Sequence, residues 1–266
     1  MHTAATPRIG ITAVGSHLPA RRLTSQQLQD EVTAGGRLAL PERMFEKATG
    51  IRTRHFAADG EYASTLAVGA ARRALAARAL RPQDVDLLLF ASATRDVCEP
   101  ATAHIVQAEL GTRAHALDVS NACNSFLNGI DLARAMILAG RARRALVVTG
   151  ETPSRAMLRT PSSLAEFRDG FAGYTFGDAG AAVVVEAVER GGILDVGTET
   201  ASEHWPAAAS PAAAPATRAA TSTATSGAAA RNCAASSRRS APPPWPGSPP
   251  APASAGTTTP GCWCTR

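Results

Sequence analysis

Apolar residues recur through the first three-quarters of the chain with two different spacings. Short uninterrupted runs such as Leu87–Phe90 are typical of strands that are covered on both faces of a sheet. Longer segments carry apolar residues three or four positions apart, as Ile130, Ala133 and Ile137 do, and this spacing predicts helices. Strands are predicted at 9–14, 86–91, 115–119, 145–149, 181–186 and, more weakly, 193–198, and helices at 62–80, 101–110 and 126–138. This alternation indicates an α/β fold with a layered sheet.

The alternation stops near Trp205. From Pro206 to Arg266 there is no Leu, Ile, Val, Met, Phe or Tyr, and 11 of the chain's 18 prolines lie there. A segment of this composition cannot bury enough side-chain surface to offset the entropy lost on ordering it. We therefore predict one globular domain over residues 1–205 and a disordered, low-complexity Ala/Pro-rich tail over residues 206–266.

The charge divides at the same point. The net charge of the chain is +5, but all 22 acidic residues and 22 of the 27 basic residues precede Pro206, so residues 1–205 are neutral. The five arginines of the tail have no Tyr or Phe interleaved among them, and they form no stacking platform for nucleic acid. The sequence thus predicts no nucleic-acid partner.

The apolar runs and the cysteines indicate in which cellular compartment the protein is found. No run approaches the roughly 18–20 apolar residues of a membrane helix, and the N-terminal residues do not resemble a signal peptide. The five cysteines have the spacing of neither a disulfide framework nor a metal site. We therefore expect a cytoplasmic protein without a membrane span.

Cys123 is the main candidate for chemistry. It lies in the segment Asp118–Phe126, between the predicted strand 115–119 and the predicted helix 126–138. The N–H groups and positive dipole at a helix N-terminus favour a thiolate over a thiol, and they can stabilise the oxyanion formed when a thiolate attacks a thioester carbonyl. The alternative is a small buried cysteine at a strand–helix junction. No metal site is expected, because no histidine has a partner at ligand spacing.

Four motifs, in order along the chain, resemble the thiolase-superfamily condensing enzymes and in particular the β-ketoacyl-ACP synthase III group (ACP, acyl carrier protein). They are the Gly-Ile-Arg-x-Arg sequence from Gly50, the segment Pro100–Gly111, the cysteine segment Asp118–Phe126 and the strand entry Phe176–Ala182. The resemblance implies a thiolase-like layered α/β fold, of which this chain contains the first half with a mixed five-stranded sheet.

The same resemblance implies an activity and its partners. Enzymes of this group are acyltransferases that accept an acyl group from acyl-CoA or acyl-ACP on the cysteine, here Cys123. They then join it to a second thioester in a Claisen condensation of fatty acid or polyketide-like biosynthesis. No cofactor is implied, since CoA or the phosphopantetheine of the carrier protein serves as the substrate carrier. A homodimer is also implied.

Three further residues are candidates for the site. The segment Arg95–Pro100 resembles the Arg-Asp-x-x-Glu-Pro sequence of the head-to-head condensing enzymes of olefin biosynthesis, and this resemblance implies that Glu99 is a base offered across the dimer interface. A solvated loop glutamate is the alternative. Asn124 either contacts substrate or caps the helix, and capping is favoured. Arg155 either meets a phosphate of CoA or an acidic carrier protein, or is a solvated surface arginine.

The segment Gly177–Ala182 is interpreted structurally. Its small residues let strand and helix backbones approach closely, and Asp178 can accept hydrogen bonds from local amides.

The resemblance covers only the first half of the family's chain. The second half normally supplies a His and an Asn, or a second His, that polarise the donor thioester, but after Trp205 there is no His and the only Asn is Asn232. The 26 Arg against a single Lys fit GC-rich codons, so a frameshift near residues 205–206 would explain the tail and an impaired enzyme. This hypothesis fails if no alternative reading frame of the gene encodes a half with those residues.

Two other accounts stay open. In the first account, the tail is a natural Pro/Ala segment in which Pro242–Pro244 serve as a polyproline ligand. In the second, the chain is an inactive remnant that pairs with a homologous subunit.

Overall fold

Strands and helices alternate through residues 7–203, which the computed structural model describes; the predicted tail over 206–266 lies outside the described residues. None of the helices in this part of the chain is long and apolar enough to cross a membrane. The elements are β1 (Arg8–His17), β2 (Arg22–Thr24), α1 (Ser25–Thr33), α2 (Met44–Thr49), β3 (Thr53–His55), α3 (Ala63–Ala77), β4 (Leu87–Ala91), α4 (Thr102–Leu110), β5 (His115–Val119), α5 (Ser125–Leu138), β6 (Arg144–Glu151), α6 (Leu164–Asp169) and β7 (Ala179–Val188).

Five of the strands form one mixed sheet in the order β1-β7-β6-β4-β5. Strand β4 is parallel to both β5 and β6, whereas β7 is antiparallel to both β6 and β1. All five residues of β4 are buried, because helices cover both faces of the sheet, as the uninterrupted apolar run predicts. The predicted α/β fold with a mixed five-stranded sheet is confirmed.

Helix α3 lies directly on the sheet through three glycines. Gly15, Gly150 and Gly180 come from β1, β6 and β7, and a Cβ atom built on any of them would lie 1.8–2.2 Å from a main-chain oxygen of α3. Such distances are far inside van der Waals contact, so only glycine fits at these positions. Helix α3 and helix α4 form the core on this face, and α5 forms the core on the opposite face.

A smaller two-stranded sheet of β2 and β3 packs with α1, α2 and α6 around a third apolar cluster. Its centre is an aromatic group in which Phe45 and Phe167 stack on Tyr174 with ring centroids 5.2 and 5.4 Å away. The Tyr174 hydroxyl donates a hydrogen bond to the Leu158 carbonyl at 2.8 Å. The hydrophobic pattern did not predict these short elements.

The predicted strand over 193–198 is wrong. After β7 the chain turns through Gly191 and Gly192, both with left-handed backbone angles, and Ile193 N donates a single hydrogen bond to Ile9 O at 2.8 Å. The chain then leaves the sheet edge without forming a ladder, and Leu194 is 86% exposed. The apolar alternation was present, but β1 offers this segment only one hydrogen bond.

Candidate functional site

Cys123 lies in a tight turn between the end of β5 and the start of α5. Asn124 N donates to Asn121 O at 3.0 Å, and Ser125 N donates to Ala122 O at 3.1 Å. Ala122 adopts a left-handed φ of 48°, which is uncommon for a residue with a Cβ atom. The predicted location of Cys123 beside a helix N-terminus is confirmed. The alternative of a buried cysteine is wrong, because its side chain is exposed.

The Ser125 hydroxyl holds this turn together. It accepts a hydrogen bond from Asn121 N at 2.8 Å and donates one to Ala122 O at 2.6 Å. The Asn121 side-chain amide donates to Asn128 Oδ1 at 2.6 Å and so ties the turn to the first part of α5. Sequence reasoning missed Ser125, although a serine two positions after a candidate nucleophile at a helix start was a usable signal.

The capping role favoured for Asn124 is wrong. Asn124 is the N-cap residue of α5, but its side chain makes no capping hydrogen bond. Its backbone angles are φ −90° and ψ 0°, whereas a capping side chain reaches the first-turn amides from an extended backbone. Ser125 N already donates to Ala122 O, but within residues 7–203 the Phe126 and Leu127 amides of the first turn of α5 have no side-chain acceptor and can face a ligand oxygen.

Strand β5 also anchors the helix before it. The Asp118 carboxylate accepts hydrogen bonds from Thr102 N at 2.9 Å and Ala103 N at 2.7 Å, at the start of α4. A negative charge at a helix N-terminus also interacts favourably with the helix dipole. One carboxylate, five positions before Cys123, thus fixes the end of β5 to the helix that follows the neighbouring strand. In the sequence, only the presence of a single acidic residue on a short predicted strand indicated this role of Asp118.

Glu99 lies on the loop between β4 and α4. Two carboxylates hold this loop, one from β6 and one from the loop itself. Glu151, at the end of β6, accepts two main-chain and two hydroxyl hydrogen bonds from residues 92–94, at 2.7–3.0 Å. Asp96 is 2% exposed and accepts a hydrogen bond from Ser64 N of α3 at 3.1 Å. Glu99 itself is exposed. The first half of the loop, residues 92–96, is therefore fixed, and Glu99 faces solvent.

The structure brings Cys123 and Glu99 to the same edge of the sheet. Strands β4 and β5 are parallel neighbours, so the two segments that follow them leave the sheet at its carboxyl edge. Ser92 N donates to Val119 O at 3.2 Å and joins the two segments where they begin. In α/β sheets ligands bind beyond this edge of the parallel strands.

Arg155 follows β6, the third parallel strand at this edge. Its guanidinium donates hydrogen bonds to the carbonyl oxygens of Ala58 and Glu61, and it lies 5.1 Å from the centre of the Tyr62 ring. These contacts support a structural role for Arg155. Its binding of a phosphate or an acidic carrier protein stays a prediction.

The structural interpretation of Gly177–Ala182 is supported by two contacts. Gly180 is one of the three glycines beneath α3. Asp178 is 1% exposed and accepts hydrogen bonds from Ala57 N at 2.7 Å, Ser154 N at 3.0 Å and the Ser154 hydroxyl. The amides that Asp178 binds are distant in sequence rather than local, so its carboxylate joins three segments of the fold.

Comparison with known proteins adds the family. Residues 117–202 match the family model of 3-oxoacyl-[acyl-carrier-protein] synthase III. The chain is 41% identical over 184 residues to the β-ketoacyl-[acyl-carrier-protein] synthase III of Rhodospirillum rubrum, covering 68% of this chain and 52% of that protein. It is 41% identical over 188 residues to the corresponding protein of Rhodospirillum centenum, covering 70% and 54%.

Solved structures agree with this result. The cerulenin-bound OleA of Xanthomonas campestris superimposes with a TM-score of 0.62 at 31% identity, covering 68% of this chain and 57% of that chain. The 3-oxoacyl-[acyl-carrier-protein] synthase III of Aquifex aeolicus gives a TM-score of 0.58 at 31% identity, covering 68% and 55%.

The mixed five-stranded sheet with helices, together with these structural neighbours, defines a thiolase-superfamily fold. Within that superfamily the chain belongs to the β-ketoacyl-ACP synthase III type, of which it contains the N-terminal part. It spans about half the length of the curated relatives that it matches.

Proposed function

We propose that the protein is an acyltransferase of the β-ketoacyl-ACP synthase III type, in which Cys123 accepts an acyl group from acyl-CoA or acyl-ACP. The observation that carries this proposal is the exposed Cys123 in a tight turn, directly before a helix whose N-cap side chain makes no hydrogen bond to the amides of Phe126 and Leu127. The names of the relatives support the acyl carrier protein as one source of the acyl group.

The first half-reaction is a transthioesterification. The Cys123 sulfur, as the thiolate, attacks the thioester carbonyl carbon, and a carbon–sulfur bond forms while the carbonyl oxygen takes up negative charge. The amides at the start of α5 can stabilise that charge. The carbonyl then re-forms, the bond to the carrier sulfur breaks, and CoA or the carrier leaves as a thiolate that takes up a proton. The phosphopantetheine thiol carries the substrate, and no other cofactor takes part.

Glu99 is proposed to act in the second half-reaction, the Claisen condensation of fatty acid or polyketide-like biosynthesis. A carboxylate offered across the dimer interface can remove a proton from the α-carbon of an acyl-CoA donor. A malonyl donor forms the same carbanion by losing CO2 and does not need this base. We propose that the family's second half supplies the groups that polarise that donor, and that residues 206–266, with no His and a single Asn, do not supply them, as a frameshift in the gene would explain. The condensation is therefore impaired in this chain.

A head-to-head condensation of two acyl-CoA molecules, as in olefin biosynthesis, is the second candidate. The Arg95–Pro100 segment and the likeness to OleA favour it. The two activities differ in the donor, so reaction products from malonyl-ACP and from a second long-chain acyl-CoA would distinguish them.

A role as a partner of another chain of the same family is the third candidate. Strand β5 is an edge strand and its residues are only half-buried or exposed, which supports pairing with a second copy as a homodimer or with a homologous subunit. Val14 and Leu127, on β1 and α5, are 65% and 66% exposed, and these apolar side chains also support contact with another chain.

We also propose a cytoplasmic location, which the spacing of the cysteines supports.

Incubation with a long-chain acyl-CoA followed by mass spectrometry tests the acyltransferase proposal. We expect one acyl group per chain, mapped to the peptide that contains Cys123, and none on that peptide in Cys123→Ser. Glu99→Gln should acylate as fast as the wild type, because the base is needed only for condensation. A folded wild-type protein that leaves Cys123 unmodified would refute the proposal.

A further inference from the structure

We propose that Ser125 is a positioning residue that sets the orientation of Cys123. Its side chain is buried, with 1% of the residue exposed. Its hydroxyl accepts from Asn121 N at 2.8 Å and donates to Ala122 O at 2.6 Å, so both of its hydrogen bonds go to the main chain of the turn that carries Cys123. No side chain from a second element is needed for this clamp.

The turn needs such a clamp because of Ala122. An L-residue with a φ of 48° occupies a sparsely populated region and stays there only where the surrounding contacts hold it. The Ser125 hydroxyl bonds the amide on one side of Ala122 and the carbonyl on the other. Asn124, the residue between Cys123 and Ser125, contributes no capping hydrogen bond to the helix start. The hydroxyl therefore fixes the main chain just before the helix, where the Asn124 side chain makes no capping hydrogen bond.

The orientation of Cys123 follows from the turn. Cys123 lies between Ala122 and the start of α5, so relaxation of Ala122 toward right-handed angles would change the position of Cys123 relative to the helix start. Small displacements of a reacting group lower reaction rates steeply. This inference rests on the proposed function for its catalytic meaning, but the clamp itself can be tested with a reagent that needs no enzyme activity.

The test is alkylation of the full-length chain with iodoacetamide, followed by peptide mass spectrometry. The measured quantity is the ratio of the alkylation rate of Cys123 to that of Cys98. Cys98 is an exposed cysteine on the loop between β4 and α4 of the same molecule, and it serves as the internal reference. In Ser125→Ala we expect this ratio to fall about tenfold, the size of effect produced by loss of about 1.4 kcal/mol of transition-state stabilisation. Ser125→Thr keeps the hydroxyl, so its ratio should stay within about threefold of the wild-type ratio. A threefold change corresponds to less than half of the free energy that a tenfold change represents.

A matched control is available in α3. Ser64 is also a buried serine near a helix start, but its hydroxyl has no hydrogen-bond partner among residues 7–203. Ser64→Ala should leave the ratio unchanged. A measurement on the unmutated protein covers the case in which Ser125→Ala does not fold: the Asn121 amide should be protected from hydrogen exchange, because it donates to Ser125 Oγ.

The outcomes separate this inference from the proposed function. An unchanged ratio in folded Ser125→Ala, an equal fall in Ser125→Thr, or rapid exchange of the Asn121 amide would overturn the role of Ser125, whether or not acyl-CoA modifies Cys123. A fall in Ser125→Ala that is restored in Ser125→Thr supports it, even if the wild type proves unable to take up an acyl group.

Discussion

Replacing Gly150 with alanine is the sharpest test of the packing beneath α3. The new Cβ would lie 1.8 Å from the carbonyl oxygen of Ala63, the first residue of that helix. Ordinary contact requires about 3.5 Å, so helix and strand would have to separate by about 1.7 Å. Neither side can yield easily, because the Cβ is bonded directly to the main chain of β6 and the Ala63 oxygen belongs to the main chain of α3.

The expected loss is large for a single methyl group. Overpacking of a core costs roughly 1–3 kcal/mol where side chains can move, so we expect Gly150→Ala to lower the free energy of unfolding by at least about 3 kcal/mol. The displacement would also reach the site. Ser64 N, which donates to Asp96 on the Glu99 loop, follows Ala63, and Gly150 O accepts hydrogen bonds from Ser92 and Thr94 on the same loop.

Urea unfolding followed by far-UV circular dichroism measures this loss. Gly35→Ala is the control, because a Cβ there meets nothing within 4 Å and its backbone angle is unstrained. We expect Gly35→Ala to be unchanged or more stable by up to about 1 kcal/mol, through the smaller entropy of its unfolded chain. A Gly150→Ala protein within about 0.5 kcal/mol of the wild type, the spread of a neutral surface change, would refute direct backbone contact between α3 and β6.

Two further predictions concern buried carboxylates. Asp178→Asn replaces one carboxylate oxygen with an NH2 group, which would face the N–H of either Ala57 or Ser154. We therefore expect it to lower stability by about 2–3 kcal/mol, and an unchanged melting temperature would contradict the joining role of Asp178. Burial acts to raise the pKa of Glu186, but hydrogen bonds from Arg144, Thr12 and Arg78 outweigh it and hold the pKa below its ordinary value. The stabilisation is therefore complete above about 4.3, the ordinary pKa of glutamate, and is lost as the pH falls below it. Glu186→Gln should remove this part of the acid sensitivity in urea titrations at different pH, and an identical pH profile for both proteins would contradict the assignment.

The parts of the fold predicted from sequence are those with long, regular apolar patterns. The run Leu87–Phe90 predicts a buried strand because a central parallel strand excludes water from both faces, and the structure has β4 there. The α1 helix was missed because its apolar positions are few, although Thr24 and Gln27 form a capping box that the sequence displays. The segment 193–198 shows the converse error, since an apolar alternation forms a strand only where a neighbouring edge accepts its hydrogen bonds.

The location of Cys123 beside a helix start was predicted, but the contacts that hold its turn were not. A cysteine between a strand and a helix can be recognised from periodicity, and the turn lies where that pattern changes. The left-handed backbone of Ala122 cannot be read from the sequence, because alanine rarely adopts it and is held there by contacts. The same holds for Asp118 and Glu151, whose partners lie 15 or more positions away and come together only when the parallel strands align.

Strand β1 leaves the ribosome long before its partner exists. Its neighbour in the sheet is β7, whose first residue, Ala179, follows His17 by 162 positions. At 5–20 residues per second, synthesis of that stretch takes roughly 8–32 s, during which β1 has no strand to pair with. Pairing at such sequence separation is slow, and the exposed strand edge invites aggregation or chaperone binding meanwhile. A stop codon or a frame change before Ala179 would remove β7, and β1 and β6 would then lack the strand that joins them. A frame change after Val188 would leave all five strands able to form the sheet.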